Sequence, residues 1–156
     1  MSIYAKHTAV PVDRSRAQIE GVLRRYGATG FGYSWERREV PIIPVPVYGA
    51  KTELREFAIL VFAVKERRVR LDVPMPTARE AGTETRAEKA VRQRWRAVLL
   101  VIKAKLEAVE SGISSLEAEF LANIVTESGR TIGEAIIPRL SEAVRSGRLL
   151  PAKGDG

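Results

Sequence analysis

Apolar residues recur at Ile19, Val22, Leu23 and Tyr26, the i, i+3, i+4, i+7 spacing that gathers them on one face of a helix. Asp13 or Ser15 is placed to cap that helix and Gly27 to end it. The period then drops to two. Phe31, Tyr33 and Trp35 alternate with Gly32 and Ser34, so in a strand from about Phe31 to Glu36 all three rings point to one side. Pro41, Pro44 and Pro46 interrupt a β-branched stretch, which makes residues 39–50 an edge strand or an extended connector. Phe57 to Val64 is a continuous apolar run and reads as a buried strand. After a turn at Lys65-Glu66-Arg67, Val69, Leu71 and Val73 alternate with Arg68, Arg70 and Asp72 in a half-buried strand that Pro74 and Pro76 close. The polar, glycine-bearing stretch Thr77 to Thr85 reads as a mobile link.

The strongest periodicity follows. From about Glu84 to Glu110, Trp95, Leu99, Ile102, Leu106 and Val109 step by four and three, and Val91 and Val98 widen the stripe. At about 100° per residue, Lys89, Arg92, Arg96 and Lys103 share a separate face roughly a quarter-turn away. Ser111-Gly112 is a fitting stop. Ser114 with Glu117 resembles a capping box for a helix that turns Leu116, Phe120, Leu121 and Ile124 inward. After a turn at Ser128-Gly129, Thr131 with Glu134 repeats the signature ahead of Ile132, Ile136, Leu140 and Val144, with a kink expected at Pro138.

The order predicts an α+β fold: an N-terminal helix, an antiparallel sheet of three or four strands, one long helix packed on the sheet and two shorter C-terminal helices. Residues 1–156 are expected to form one domain, with helix and sheet in 1–82, a helical part in 83–146 and a frayed tail from 147. The balance of 45% apolar and 29% charged residues is that of a soluble globular chain. There is no cysteine, which removes disulfides and thiolate metal sites, and His7 alone cannot build a histidine metal cluster. The opening residues lack a signal-peptide apolar core and no apolar run is long enough for a bilayer, so a cytoplasmic protein without membrane attachment is expected.

Charge sharpens the picture. Residues 1–105 hold 21 Lys and Arg against 11 Asp and Glu, a net of +10, whereas from Leu106 onward 5 stand against 8, a net of −3. A positive field of this kind attracts polyanions, and its bland reading is a solvated face. The face of Lys89, Arg92, Arg96 and Lys103, extended by Arg67, Arg68 and Arg70 on the third strand, has the density of a phosphate-binding surface. Glu88 stands four residues before Arg92 and can neutralise part of it. Arg37 and Arg38 follow the aromatic strand at once. If that strand were exposed, Tyr33 and Trp35 would be stacking platforms for bases beside two phosphate-binding arginines. The favoured reading is that Phe31, Tyr33 and Trp35 form the sheet's inner face, packed under the long helix against Trp95.

For catalysis the chain offers no Gly-rich phosphate loop, His-Glu zinc helix or Gly-x-Ser-x-Gly elbow. Glu117 and Glu119 lie two apart and point to different helix faces. No catalytic residue, metal or cofactor is therefore assigned.

The segments Met1-Ser2-Ile3-Tyr4-Ala5-Lys6, Thr8-Ala9-Val10-Pro11-Val12, Arg25-Tyr26-Gly27-Ala28, Arg92-Gln93-Arg94-Trp95-Arg96 and Gly129-Arg130-Thr131-Ile132-Gly133-Glu134 resemble an uncharacterised protein family of tailed phages and prophages. The resemblance covers most of the chain and departs at the proline-rich residues 39–55. It implies a host-cytoplasmic setting and roles in DNA metabolism or host takeover. In element order alone, helix, three strands, helix, the chain is also similar to double-stranded-RNA-binding domains and, more loosely, to the core of single-strand annealing proteins, without their sequence signatures. The expected function is non-catalytic, sequence-tolerant nucleic-acid binding. The alternative is a module docking on an acidic host or phage protein, for which the extended Ile42 to Tyr48 segment could add to a partner's sheet or groove.

Overall fold

The computed structural model describes residues 3–42 and 51–149, with side chains from residue 12 onward. Helix α1 spans Ile3–Arg25, and three strands follow, β1 (Gly30–Pro41), β2 (Thr52–Val64) and β3 (Arg67–Pro74). The short α2 (Ala78–Ala81) leads into the long α3 (Glu84–Glu110), and α4 (Leu116–Phe120), α5 (Ile132–Ile136) and α6 (Leu140–Ser146) complete the fold. This is the expected α+β order. The sheet is antiparallel in the order β1-β2-β3, so the central strand is the apolar β2.

Register assigns each sheet residue to a face. Phe31, Phe62 and Val69 form one row, Tyr33, Leu60 and Leu71 the next, and Trp35, Ala58 and Val73 a third, all on the side that the helices cover. Onto these rows α3 lowers Val91, Trp95, Val98, Ile102 and Leu106, while α1 adds Ile19 and Leu23 and α4 adds Leu116 and Phe120 to the same core. Trp95 is 2% exposed and meets the Tyr33 ring edge-on at 5.6 Å. Removing so large a buried ring would cost about 3–5 kcal/mol. Tyr26, just past α1, donates its hydroxyl to Glu107 near the end of α3, and Arg16 lies over Tyr33, so the two helices run side by side in the same direction. A glutamate carboxylate accepting from the Tyr26 hydroxyl raises that phenol's pKa.

Among the described residues no long helix lies on the other face of the sheet, and only the short α2 and α5 reach it, through Arg79 and Glu134. Arg38 spans from β1 to Asp72 on β3 at 2.8 Å and covers the Phe57 ring at 4.5 Å, while Arg70 holds Asp72 at 2.9 Å and reaches Glu134. These interleaved ion pairs lie over Ile59 and Phe57, whose alternation places them on this face. Farther along, Glu53 on β2 accepts both arms of the Arg79 guanidinium at 2.8 and 2.9 Å and Arg55 at 3.2 Å, fastening α2 to the sheet.

Several boundaries depart from expectation. α1 begins ahead of Asp13 and Ser15 and runs through Pro11, so neither residue caps it: Asp13 accepts from Arg16 at 3.2 Å and Ser15 is buried inside the helix. A helix tolerates the one backbone bond that Pro11 removes when its apolar side is held by packing. Thr77 to Thr85 is not a loose link, because Thr77 and Glu80 form a reciprocal capping box on α2 and Thr83 caps α3. Ser115, one residue later than expected, caps α4. The third strand's outer edge is partly paired, through a bridge from Val69 to Ile124 and the Val125 N–H to the Arg68 carbonyl, and Val125 in turn bridges to Thr131. Thr131 and Glu134 do form their capping box, but Pro138 divides the segment, with a 3₁₀ turn at Ile137–Arg139. Such a turn advances about 120° per residue and so shifts the apolar stripe by some 60°. Leu140 and Val144, expected inward, are consequently exposed, as is Leu121, which sits in a second 3₁₀ turn. Ile42 is buried, whereas the rest of the Ile42 to Tyr48 segment, Pro44 and Pro46 included, the His7 side chain and residues 150–156 of the tail lie outside the described residues.

A Cβ on Gly133 would sit 2.7 Å from the Ala122 carbonyl oxygen, a backbone atom that cannot swing away. Gly133→Ala should therefore destabilise the fold by about 1–3 kcal/mol, read as a lower urea midpoint. The Arg79 guanidinium, with Arg55 behind it, holds the Glu53 carboxyl at about 2 against an ordinary 4.5. A depressed folded-state pKa gives stability that is complete above the unfolded value and is lost as pH falls toward the folded one. In Glu53→Gln, the loss of stability between about pH 4.5 and pH 2 should be shallower than in the parent, measured by thermal melts across that window.

Candidate nucleic-acid interface

Because α3 must turn Val91, Trp95, Ile102 and Leu106 to the sheet, its rotation about its own axis is set, and with it the position of every cation it bears. Lys89, Arg96 and Lys103 are exposed and Arg92 is half-buried, in one row along the side of the helix. Fourteen residues at 1.5 Å each make that row about 21 Å long. Among the described residues, the arginines engaged in ion pairs are Arg16, Arg24, Arg38, Arg55, Arg67, Arg70 and Arg79, none of them in this row. The Glu88 to Arg92 pair that the spacing allows does not close.

Two other cations of α3 serve the fold. Arg94 donates to the Pro74 carbonyl at 2.9 Å, tying the helix to the end of β3. Lys105 donates to the Glu119 carbonyl and lies 5.2 Å from the centre of the Phe120 ring, tying it to α4.

The β3 arginines do not extend the helix row. Arg68 and Arg70 alternate with Val69 and Leu71, so they project from the face opposite α3. Arg70 is held by Asp72, Glu134 and the Gly129 carbonyl, the last at 3.1 Å, and forms a wall of a cleft of about 300 Å³ with Asn123, Thr131 and Pro138. The Glu134 carboxyl is kept below its ordinary range first by the Thr131 backbone N–H and then by Arg70. Arg67 meets Glu117 at 3.4 Å, and the Glu117 carboxyl is lowered first by a backbone N–H at its own helix start and then by Arg67. Arg38 is committed to Asp72 and Glu36, hydrogen bonds that hold its guanidinium charged. Arg68 is exposed and unpaired among the described residues, but it stands on that far face.

The aromatic stripe divides. Phe31 and Tyr33 pack under the helices as the core reading requires. Tyr33 is not available for stacking, since Trp95 meets it edge-on and the Arg16 guanidinium sits 4.2 Å above its ring, and burial raises the pKa of its hydroxyl. Trp35 breaks the expectation of a wholly buried stripe: it is 58% exposed, with the Arg37 guanidinium 5.8 Å from its ring centre. Tyr33 has Trp95 against its edge and Arg16 over its face, whereas Trp35, one row farther along the edge strand, stands outside the core cluster. Leu54, on the same face opposite Glu39, is 69% exposed and escaped the sequence reading, although its flanking Glu53 and Arg55 mark where β2 stops being continuously apolar. Arg37, Leu54, Glu56, Met75 and the first turn of α3 enclose a groove of about 320 Å³.

Among the described residues no three His, Asp or Glu side chains gather to hold a metal ion, and no helix is long and apolar enough to cross a membrane. Comparison with protein-family models, with curated proteins and with solved structures finds no match for this chain.

Proposed function

We propose that this protein binds nucleic acid, without catalysing a reaction on it, by sequence-tolerant contact between the basic face of α3 and backbone phosphates. One observation carries the reading: Lys89, Arg92, Arg96 and Lys103 stand in a single row and have no carboxylate partner among the described residues, whereas most arginines of the sheet are taken up in ion pairs. Unpaired cations in a row are the arrangement from which a polyanion displaces counterions with the smallest loss of existing contacts. Arg37 shares a groove with Glu84 and Ala87 at the start of α3, the end of the helix at which the row begins, and would lengthen the path. Arg67, Arg38 and Arg70 fall out of the interface because binding phosphate would first require breaking their pairs. The resemblance to a family of tailed phages would place this activity in a host cytoplasm, in DNA metabolism or host takeover.

The second reading, docking on an acidic protein, uses the same row and is favoured by the exposed apolar side chains of Ile137, Leu140 and Val144 on the C-terminal helices. Recovery of one stoichiometric protein partner after nuclease treatment would decide for it.

Titration of fluorescent single- and double-stranded DNA and RNA at several salt concentrations tests the proposal. Four phosphate contacts on a duplex predict a slope of log affinity against log salt near −3.6, from about −0.9 per contact. Reversing Arg92, Arg96 and Lys103 together to Glu should weaken binding to all sequences and flatten the slope by about 3 while helical circular dichroism is kept. Absent or salt-insensitive binding near about 50 mM salt would overturn the reading.

A further inference from the structure

Trp35 is a large aromatic side chain left on an edge strand with more than half of its surface in water. Nothing in the packing asks for it: the core rows close on Phe31 and Tyr33, and Trp95 already fills the space beneath α3. With Leu54 exposed on the same face farther along β2, the ring offers an open contact surface to a ligand. Its neighbours say what. Arg37 lies against the Trp35 ring and has no ion pair among the described residues, even though Glu56 faces it across the strands. The groove that Arg37 lines is bounded by Glu84 and Ala87 of α3, and Lys89 follows within the next turn. An open ring, a guanidinium beside it without an ion pair among the described residues, and a row of cations on the helix whose first turn borders the same groove are the parts that a chain of alternating bases and phosphates would use.

Resting on the nucleic-acid reading above, we propose that the ligand is single-stranded: one base stacks on the free face of Trp35, its phosphate pairs with Arg37, and the following phosphates track Lys89, Arg92 and Arg96 along α3. A duplex keeps its bases inside and cannot offer one to Trp35 without unpairing, so the ring discriminates single strands from duplex. Stacking is tolerant of base identity because every base has a π face, which agrees with phosphate contacts that read no sequence. The carboxylates of Glu56 and Glu84 on the groove wall repel the backbone, so the phosphate is held to the Arg37 side of the groove.

The chain contains two tryptophans, and only Trp35 is accessible, so intrinsic fluorescence reports on this ring directly. Adding a thymine dodecamer should quench the acrylamide-sensitive part of the emission and leave the Trp95 part unchanged. Trp35→Ala should weaken binding of the dodecamer by roughly 5- to 150-fold and leave duplex binding within about twofold, with partial recovery in Trp35→Phe. Thermal melts should stay within a few degrees of the parent, since the ring is outside the core. Equal losses for single strand and duplex, or unchanged single-strand affinity without quenching, would overturn the stacking site. In that event binding that still falls on reversing Arg92, Arg96 and Lys103 leaves the phosphate-binding reading standing. If neither nucleic acid binds the parent protein, both readings fall.

Discussion

The burial of one stripe of α3 against the sheet is the constraint on which the other features depend. Trp95 occupies its middle, edge-on to Tyr33 of β1, with Val91 and Val98 a turn away on either side. A helix with such a stripe has no freedom to rotate, since a turn of even a quarter would carry Trp95 into water and bring a lysine to the sheet. The position of Lys89, Arg92, Arg96 and Lys103 is thus a by-product of hydrophobic packing: the charges are held in register by contacts on another side of the same cylinder. The same packing aligns α1 beside α3, with Tyr26 closing on Glu107 where the two helices end.

A three-stranded sheet has two faces, and among the described residues the long helices cover one of them. The other is closed by side chains of opposite charge lying flat across the strands, Arg38 to Asp72 to Arg70 to Glu134, and at the far end Arg55 and Arg79 to Glu53. Their aliphatic stems and the planar guanidinium groups cover Ile59 and Phe57, and the ion pairs keep the charged ends from facing apolar surface alone. Individual surface pairs contribute little, but a network in which one carboxylate serves two guanidinium groups is more strongly held. This divides the basic residues of the chain into two populations. Arg38, Arg55, Arg67 and Arg70 on the sheet, with Arg94 and Lys105 on α3, are engaged within the fold, whereas Lys89, Arg92, Arg96 and Lys103, with Arg37 and Arg68, have no ion pair among the described residues.

The local signals were legible where a short stretch decides the outcome alone. Gly27 closes the first helix with φ of 91°, Lys65 and Glu66 adopt the positive φ values of a two-residue hairpin, and Thr131 with Glu134 builds the reciprocal cap. The limits of α3 agree with its apolar period because twenty-seven residues average out any single misleading position. Where the reading missed, a local preference had been overruled. Asp13 and Ser15 are good caps in isolation, yet the helix continues past both because Val12 and Ile19 pack on one side of it. Leu140 and Val144 keep helical spacing with Ile136, and only the 3₁₀ turn forced by Pro138 rotates them outward.

Sequence by itself determined the order of the main elements, the buried stripe of α3 and the imbalance of charge toward the first two thirds of the chain, because period and composition are properties of neighbouring residues. It could not sort the arginines, since whether a cation is paired depends on which carboxylate arrives from a distant element: Glu134 reaches Arg70 across 64 positions and Asp72 reaches Arg38 across 34. Nor could it separate Trp35 from Tyr33, two residues away on the same face of the same strand. Tertiary structure alone decided that, by setting Trp95 against Tyr33 and Arg16 over it while leaving Trp35 outside the core.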